Sequence, residues 1–209
     1  MSAAGQKAGQ DIIQEPVVFD RRSFRDALAA FATGVTVIST VRGNGERVGI
    51  TANSFGSVSL DPPLVLFSVA KKAYSLAAFL DAPRFAVSVL ASDQGAVSNR
   101  FAVSSGEKWD GTDYSIAENG CPIVNGALAR FECDRHAHHE AGDHVILIGL
   151  VRRFERLATG EPLMFFRGSY RALAPNAEFP DYAGNEPKVL PPLRRKAPRL
   201  PPRARLLLR

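Results

Sequence analysis

Thr51, Asn53, Ser54, Ser57 and Ser59 fall within one stretch, Gly49 to Ser68, beside two of the most apolar strand candidates in the chain. Hydroxyls and amides in a core-forming region need partners, because an unpaired buried polar group costs about 1–3 kcal/mol. A flat, polar ligand that accepts and donates along one edge is one economical partner. The backbone is the other, with Ser and Asn capping turns at an ordinary strand end. The spacing alone does not choose between them.

His136, His138, His139 and His144 raise a metal hypothesis. On a strand, His136 and His138 share a face and His139 lies opposite. No Cys-x-x-Cys or His-Glu-x-x-His accompanies them, and a closed zinc site wants four ligands of defined geometry, so no metal is expected. Cys121, in a Gly-Cys-Pro loop, and Cys133, in a strand, have no neighbouring base and read as packing or surface thiols. A Rossmann or P-loop nucleotide site is unsupported, since neither glycine signature is present.

The elements that position these groups alternate between short strands and brief helices. Asp20 caps a helix expected to run through Ala32, with Phe24, Leu28 and Phe31 on one apolar face and Gly34 ending it. Val35–Val41 and Arg47–Asn53 form a hairpin. Asp61-Pro62-Pro63 enforces an extended turn, after which Leu64–Val69 reads as a strand buried on both faces. A short helix over Ala73–Leu80, a strand over Phe85–Leu90 and a helix capped by Ser92 or Asp93 and reaching Phe101 follow. Ser104–Asn119 reads as a loop holding the only tryptophan, Trp109. Ala127–Glu140 and His144–Glu155 make the longest hairpin, and Leu163–Ala172 the last strand. Many short antiparallel strands with few helices argue for a barrel or sandwich rather than a parallel α/β sheet.

The chain has 209 residues, enough for one domain with tails. Its net charge of +5 is local. Residues 1–173 hold 18 basic and 18 acidic residues, whereas 174–209 hold 8 basic and 3 acidic residues and 8 of the 14 prolines. The basicity therefore belongs to a Pro/Arg-rich tail, and no nucleic-acid partner is expected. Residues 1–17 are polar and unpatterned; both ends read as disordered around a domain at 18–173. No apolar run approaches the roughly 20 residues that span a bilayer, no secretory signal opens the chain, and two cysteines fit a reducing cytoplasm.

Phe24-Arg25-Asp26-Ala27-Leu28 and Phe31-Ala32-Thr33-Gly34-Val35-Thr36-Val37, then Gly49 to Phe55 and Ser57 to Val65, resemble the flavin reductase-like family, the reductase components of two-component flavin-dependent monooxygenases. Phe85–Leu90, Gln94, Phe101-Ala102, Gly142-Asp143-His144 and Gly168-Ser169-Tyr170 match in order and spacing. The resemblance covers about three quarters of the chain, residues 18–173, and neither tail.

It implies a mainly β fold with flanking helices, an antiparallel Greek-key split β-barrel of the FMN-binding type, usually a homodimer. It implies FMN or FAD as the flavin, NADH or NADPH as cosubstrate, and a separate oxygenase that receives the reduced flavin. The flavin brings the reactive N5; the protein brings position and electrostatics. By carry-over, Thr51, Asn53, Ser54 and Phe55 lie along the ring with Ser57 and Val58 close by. Ser68, Lys71 and Ser75 are the phosphate candidates, where Lys71 and neighbouring Lys72 read equally well as a solvated face. Gln94, Asn99 and Phe101 form a second wall, joined by Tyr170. His144 lies near the nicotinamide, to orient it or exchange a proton, a role that suits histidine chemistry near neutral pH. The rival from another class is a flavin-binding carrier or sensor of the same fold without turnover; a fold relative holding haem is a third reading.

Overall fold

Asp20 accepts hydrogen bonds from the backbone amides of Arg22 and Ser23, at 3.3 and 2.9 Å, and so starts helix α1, Arg21–Leu28, in the computed structural model. The structure describes residues 19–104, 107–157 and 159–173. The segments expected to be disordered, 1–17 and 174–209, lie outside them. Helix α1 ends four residues before the expected Ala32. Arg167 donates to the carbonyl of Ala29, and Thr33–Gly34 is drawn into a short strand, β1, against Phe165 and Met164. Gly34 is thus a strand residue, not a helix stop.

Seven antiparallel strands make the main sheet. They are β2 (Thr36–Val41), β3 (Arg47–Ala52), β4 (Gly56–Leu60), β5 (Pro63–Ala70), β6 (Arg84–Val89), β9 (Ala129–Ala141) and β10 (His144–Arg156). Their spatial order is β3-β2-β6-β9-β10-β5-β4. The two edge strands, β3 and β4, are consecutive in the chain and joined only by residues 53–55. That link reaches at most about 14 Å, whereas seven strands laid flat put their edges about 29 Å apart. The sheet must therefore curl, and the result is a barrel split between β3 and β4.

The inward face matches this closure. Ile38, Val48 and Ala52 from one side of the split pack in one cluster with Val65, Phe67, Val69, Val145 and Leu147 from the other, and with Phe85, Val87 and Cys133 from the strands between. Helix α2, Leu76–Asp81, plugs the barrel with Ala78 and Phe79, whose ring meets Phe67 edge-on at 5.4 Å. Strand β5 corrects an expectation. Val65, Phe67 and Val69 are buried but their alternates only half so, because a barrel has one interior face.

Three further differences have local causes. Helix α3, Gly95–Ala102, starts after Gln94, not at Ser92 or Asp93. Ser92 donates to Glu161 and Ala91 pairs with Pro162, so that segment is held as extended chain. The expected loop Ser104–Asn119 contains β7, Tyr114–Ile116, which pairs with β8, Pro122–Val124. The expected last strand is two, β11 (Met164–Phe166) and β12 (Ser169–Arg171), folded back at Arg167–Gly168, both with positive φ. The long hairpin forms as expected, with Gly142 at φ +60° in the two-residue turn between Ala141 and His144.

Gly149 sits where β10 shifts register against β9, facing Phe85 and Cys133. A Cβ there would run into the Phe85 ring. Gly149→Ala is expected to lower stability by about 1–3 kcal/mol, read from the midpoint of chemical unfolding.

Candidate functional site

The outer face of β3, the link after it, the end of β5, the turn Ala73–Ser75, the end of α3 and the segment Lys108–Trp109 surround a cleft of about 710 Å³. Thr51, Asn53, Ser54, Ser68, Ser75, Phe101 and His144 all line it. Residues scattered over more than ninety positions are thus brought to one surface by the closure of the barrel.

Each wall has a local reason. Gly49 lets α3 lie close on β3: a Cβ would come within 2.6 Å of the Phe101 ring and 3.0 Å of Trp109. Phe101 and Trp109 meet edge-on, centroids 4.7 Å apart. The Thr51 hydroxyl donates to the Ser98 carbonyl at 2.6 Å and ties β3 to α3. The Ser54 hydroxyl accepts from the Ser68 amide at 3.0 Å and closes the link onto β5. Of the three polar residues expected along one ring edge, two therefore use their hydroxyls internally. Asn53 is the one left exposed. Ser75 is buried, precedes α2 without capping it, and opens on the cleft.

His144 enters at the head of β10, paired with Ala70 of β5. Its Nδ1 lies 2.7 Å from the Asp143 carboxylate, which orients the ring. The same hydrogen bond, and then the charge of the ring, holds the Asp143 carboxyl below the usual carboxylate range.

The other expected site residues stand apart from the lining. Phe55 packs on the barrel core, 5.6 Å from the Phe131 ring. Ser57 and Val58 lie on edge strand β4. The Lys71 ammonium pairs with Glu140 at 2.9 Å. The Gln94 side chain accepts from the Ala91 amide and donates to the Asn125 carbonyl, at 3.0 and 2.7 Å, and so fixes the start of α3. The Tyr170 hydroxyl hydrogen-bonds Asn99 and Ser98, at 2.9 and 2.8 Å, and holds the far side of that helix.

Sequence reasoning places neither Lys108 nor Trp109 in the site; the lone tryptophan in the 104–119 loop is the one signal it offers. The Lys108 ammonium donates to the carbonyls of Gly49 and Phe101, at 3.2 and 3.3 Å, and partial burial pushes its pKa down. Cys121 and Cys133 are buried, and their thiols are pushed up to about 12, first by burial, so neither is poised as a nucleophile. Among the described residues, no three His, Cys, Asp or Glu side chains gather as a metal-ligating group, and no helix is long and apolar enough to cross a membrane. A second cleft, of about 380 Å³, carries the pairs Arg152–Asp134 and Arg153–Glu118, with Arg84 and the buried Glu132 also on its lining.

The family model described as the flavin reductase like domain matches residues 28–174. The chain belongs to the flavin reductase-like family. Every cleft residue lies inside that match. The chain is 49% identical over 149 residues to the FMN reductase (NADH) SmoA of Agrobacterium fabrum, covering 71% of this chain and 84% of that one. It is 43% identical over 149 residues to the reductase component of the flavin-dependent trigonelline monooxygenase of Acinetobacter baylyi, covering 71% of this chain but 48% of that one. It thus spans about half the length of some relatives. Among solved structures, the NADH:FAD oxidoreductase SgcE6 of Streptomyces globisporus, in complex with NAD and FAD fragments, superposes with a TM-score of 0.73 at 41% identity, covering 78% of this chain and all of that one.

Proposed function

We propose that this chain is an NAD(P)H:flavin oxidoreductase that reduces FMN or FAD in the cleft and releases it to a separate monooxygenase. The observation that carries the reading is the convergence of Thr51, Asn53, Ser54, Ser68, Ser75, Phe101 and His144 on one cleft, in a chain similar to an FMN reductase (NADH) and to a monooxygenase reductase component. The donor set fits a flavin: an exposed amide at Asn53 and a hydroxyl at Ser75 open to the cleft, on a wall backed by the buried Phe101 and Trp109 rings.

When bound, the flavin supplies N5 as the acceptor for a hydride from nicotinamide C4. The chain supplies position. Asn53 offers a donor and an acceptor to the polar ring edge. Thr51 and Ser54 keep the wall rigid through Ser98 and Ser68. Asp143 holds Nδ1 of His144, which leaves Nε2 as the nitrogen that meets the dinucleotide or exchanges a proton. The reading assigns function to residues 18–173 and none to the tail. Two buried free thiols accord with a reducing compartment such as the cytoplasm.

The reading also includes a homodimer. Among the described residues, none buries any residue of helix α1; Phe24 and Leu28 on the helix, and Phe31 just beyond it, stand exposed. Eight residues are too few for a stable isolated helix, so a second copy is the cover that we assign to this face. Light scattering after gel filtration is expected to give twice the chain mass, and Phe24→Ser with Leu28→Ser to shift it towards monomer; a dimer indifferent to both changes would remove α1 from the interface.

Turnover separates a reductase from a carrier. Each of FMN and FAD mixed with each of NADH and NADPH is expected to yield at least one pair that bleaches the flavin absorbance. Asn53→Ala should weaken flavin binding about tenfold, and His144→Ala should slow reduction about tenfold or more with flavin affinity kept. A yellow protein inert with all four pairs is a carrier, and a Soret band in the purified protein points to haem; either result contradicts the reading.

A further inference from the structure

We infer that Lys108 is the cation in the cleft that receives a phosphoryl group of the nucleotide ligands. The inference rests on the flavin reductase reading and names a contact within that site. Phosphate recognition at a protein surface needs amide donors, hydroxyls or a cation. Ser68 and Ser75 supply hydroxyls at one end of the cleft. The cation expected beside them, Lys71, does not line the cleft, and its charge is met by Glu140 at 2.9 Å.

Lys108 stands in the complementary condition. It lines the cleft, and its ammonium is anchored by two neutral carbonyls, those of Gly49 on β3 and Phe101 at the end of α3. These occupy two of its three N–H donors and leave the third unassigned. Lys108 forms no ion pair among the described residues. Burial of part of the side chain raises the cost of its charge, as the lowered pKa records. A carbonyl pair fixes the position of such a charge without neutralising it.

The other charges on the lining are arranged differently. Arg47 lies with its guanidinium 5.4 Å from the Tyr114 ring, turned onto an aromatic face. Glu46 pairs with Arg42 at 3.1 Å, and Glu107 is exposed. His144 is oriented by Asp143. Lys108 is therefore the half-buried point charge on this surface, and a compact ammonium is suited to a phosphate oxygen. The phosphoryl group has two sources, the flavin and the dinucleotide, and paired ligands tell them apart.

The test measures dissociation constants for FMN against riboflavin, and for NADH against reduced nicotinamide riboside, on wild type, Lys108→Met and Lys108→Arg. Lys108→Met is expected to lose about tenfold or more for the phosphate-bearing member of at least one pair and less than about twofold for its phosphate-free counterpart. Lys108→Arg should retain most of the affinity. Loss in the FMN pair assigns the flavin phosphate; loss in the NADH pair assigns the dinucleotide. Equal loss for both members of each pair, or none, overturns the inference and leaves Lys108 as a clasp between β3 and α3. If Lys108→Met does not fold, the side-chain ¹⁵N signal of Lys108 in wild type decides: a shift with FMN or NADH but not with their phosphate-free counterparts supports the inference, and no such selectivity overturns it. Wild type that binds none of FMN, FAD and riboflavin overturns the functional reading and this inference together. Intact wild-type binding with an unselective Lys108→Met overturns the inference alone.

Discussion

Three residues, Asn53 to Phe55, join the two edges of a seven-stranded sheet, and the rest of the molecule follows from that short tether. A sheet whose edges must meet within about 14 Å has to close. No ladder closes the seam: β3 pairs with β2 and β4 with β5, and the two edges are not hydrogen-bonded to each other. One side chain does part of what a ladder would do. Ser54 takes the Ser68 amide and fastens the link to β5. The seam is consequently rich in short polar side chains, and the backbone beside it is open to solvent on one side.

The cleft is the outside of that seam. Helix α3 is pressed onto β3 where Gly49 leaves room for the Phe101 and Trp109 rings. Thr51 and Lys108 then fasten helix to strand through three backbone carbonyls, those of Ser98, Gly49 and Phe101. The polar residues of β3 and of the link after it divide their labour. Thr51 and Ser54 stiffen the wall, and Asn53 is left exposed on the cleft. A site built this way is preformed on rigid elements, which favours a reaction that depends on stacking two rings in register.

Much of the fold was legible because barrel strands leave a strong trace. Alternating apolar residues and turn glycines locate two of the three hairpins to within a residue or two; the third is missed, because β4, Gly56–Leu60, which pairs with β5 across the Asp61-Pro62-Pro63 break, is a polar edge strand with little apolar alternation. What the pattern did not carry was the direction of individual side chains at element ends. Lys71 and Ser75 are four residues apart, yet one turns out to Glu140 and the other into the cleft. Gln94 and Tyr170 kept their place in the family's order but serve the frame of α3. Lys108 was hidden in an unpatterned loop, since its role is set by two carbonyls that lie 59 and 7 residues away. The apolar face of α1 was visible as a periodicity; that the described residues leave it uncovered was not.

The most direct test of this account is a crystal structure of the chain with bound FMN or FAD. The account predicts the isoalloxazine against β3 and the 53–55 link, with the Asn53 amide within hydrogen-bond reach of its pyrimidine edge and Phe101 and Trp109 at the far wall. A flavin seated elsewhere, such as the cleft between Arg84 and Arg153, would contradict it.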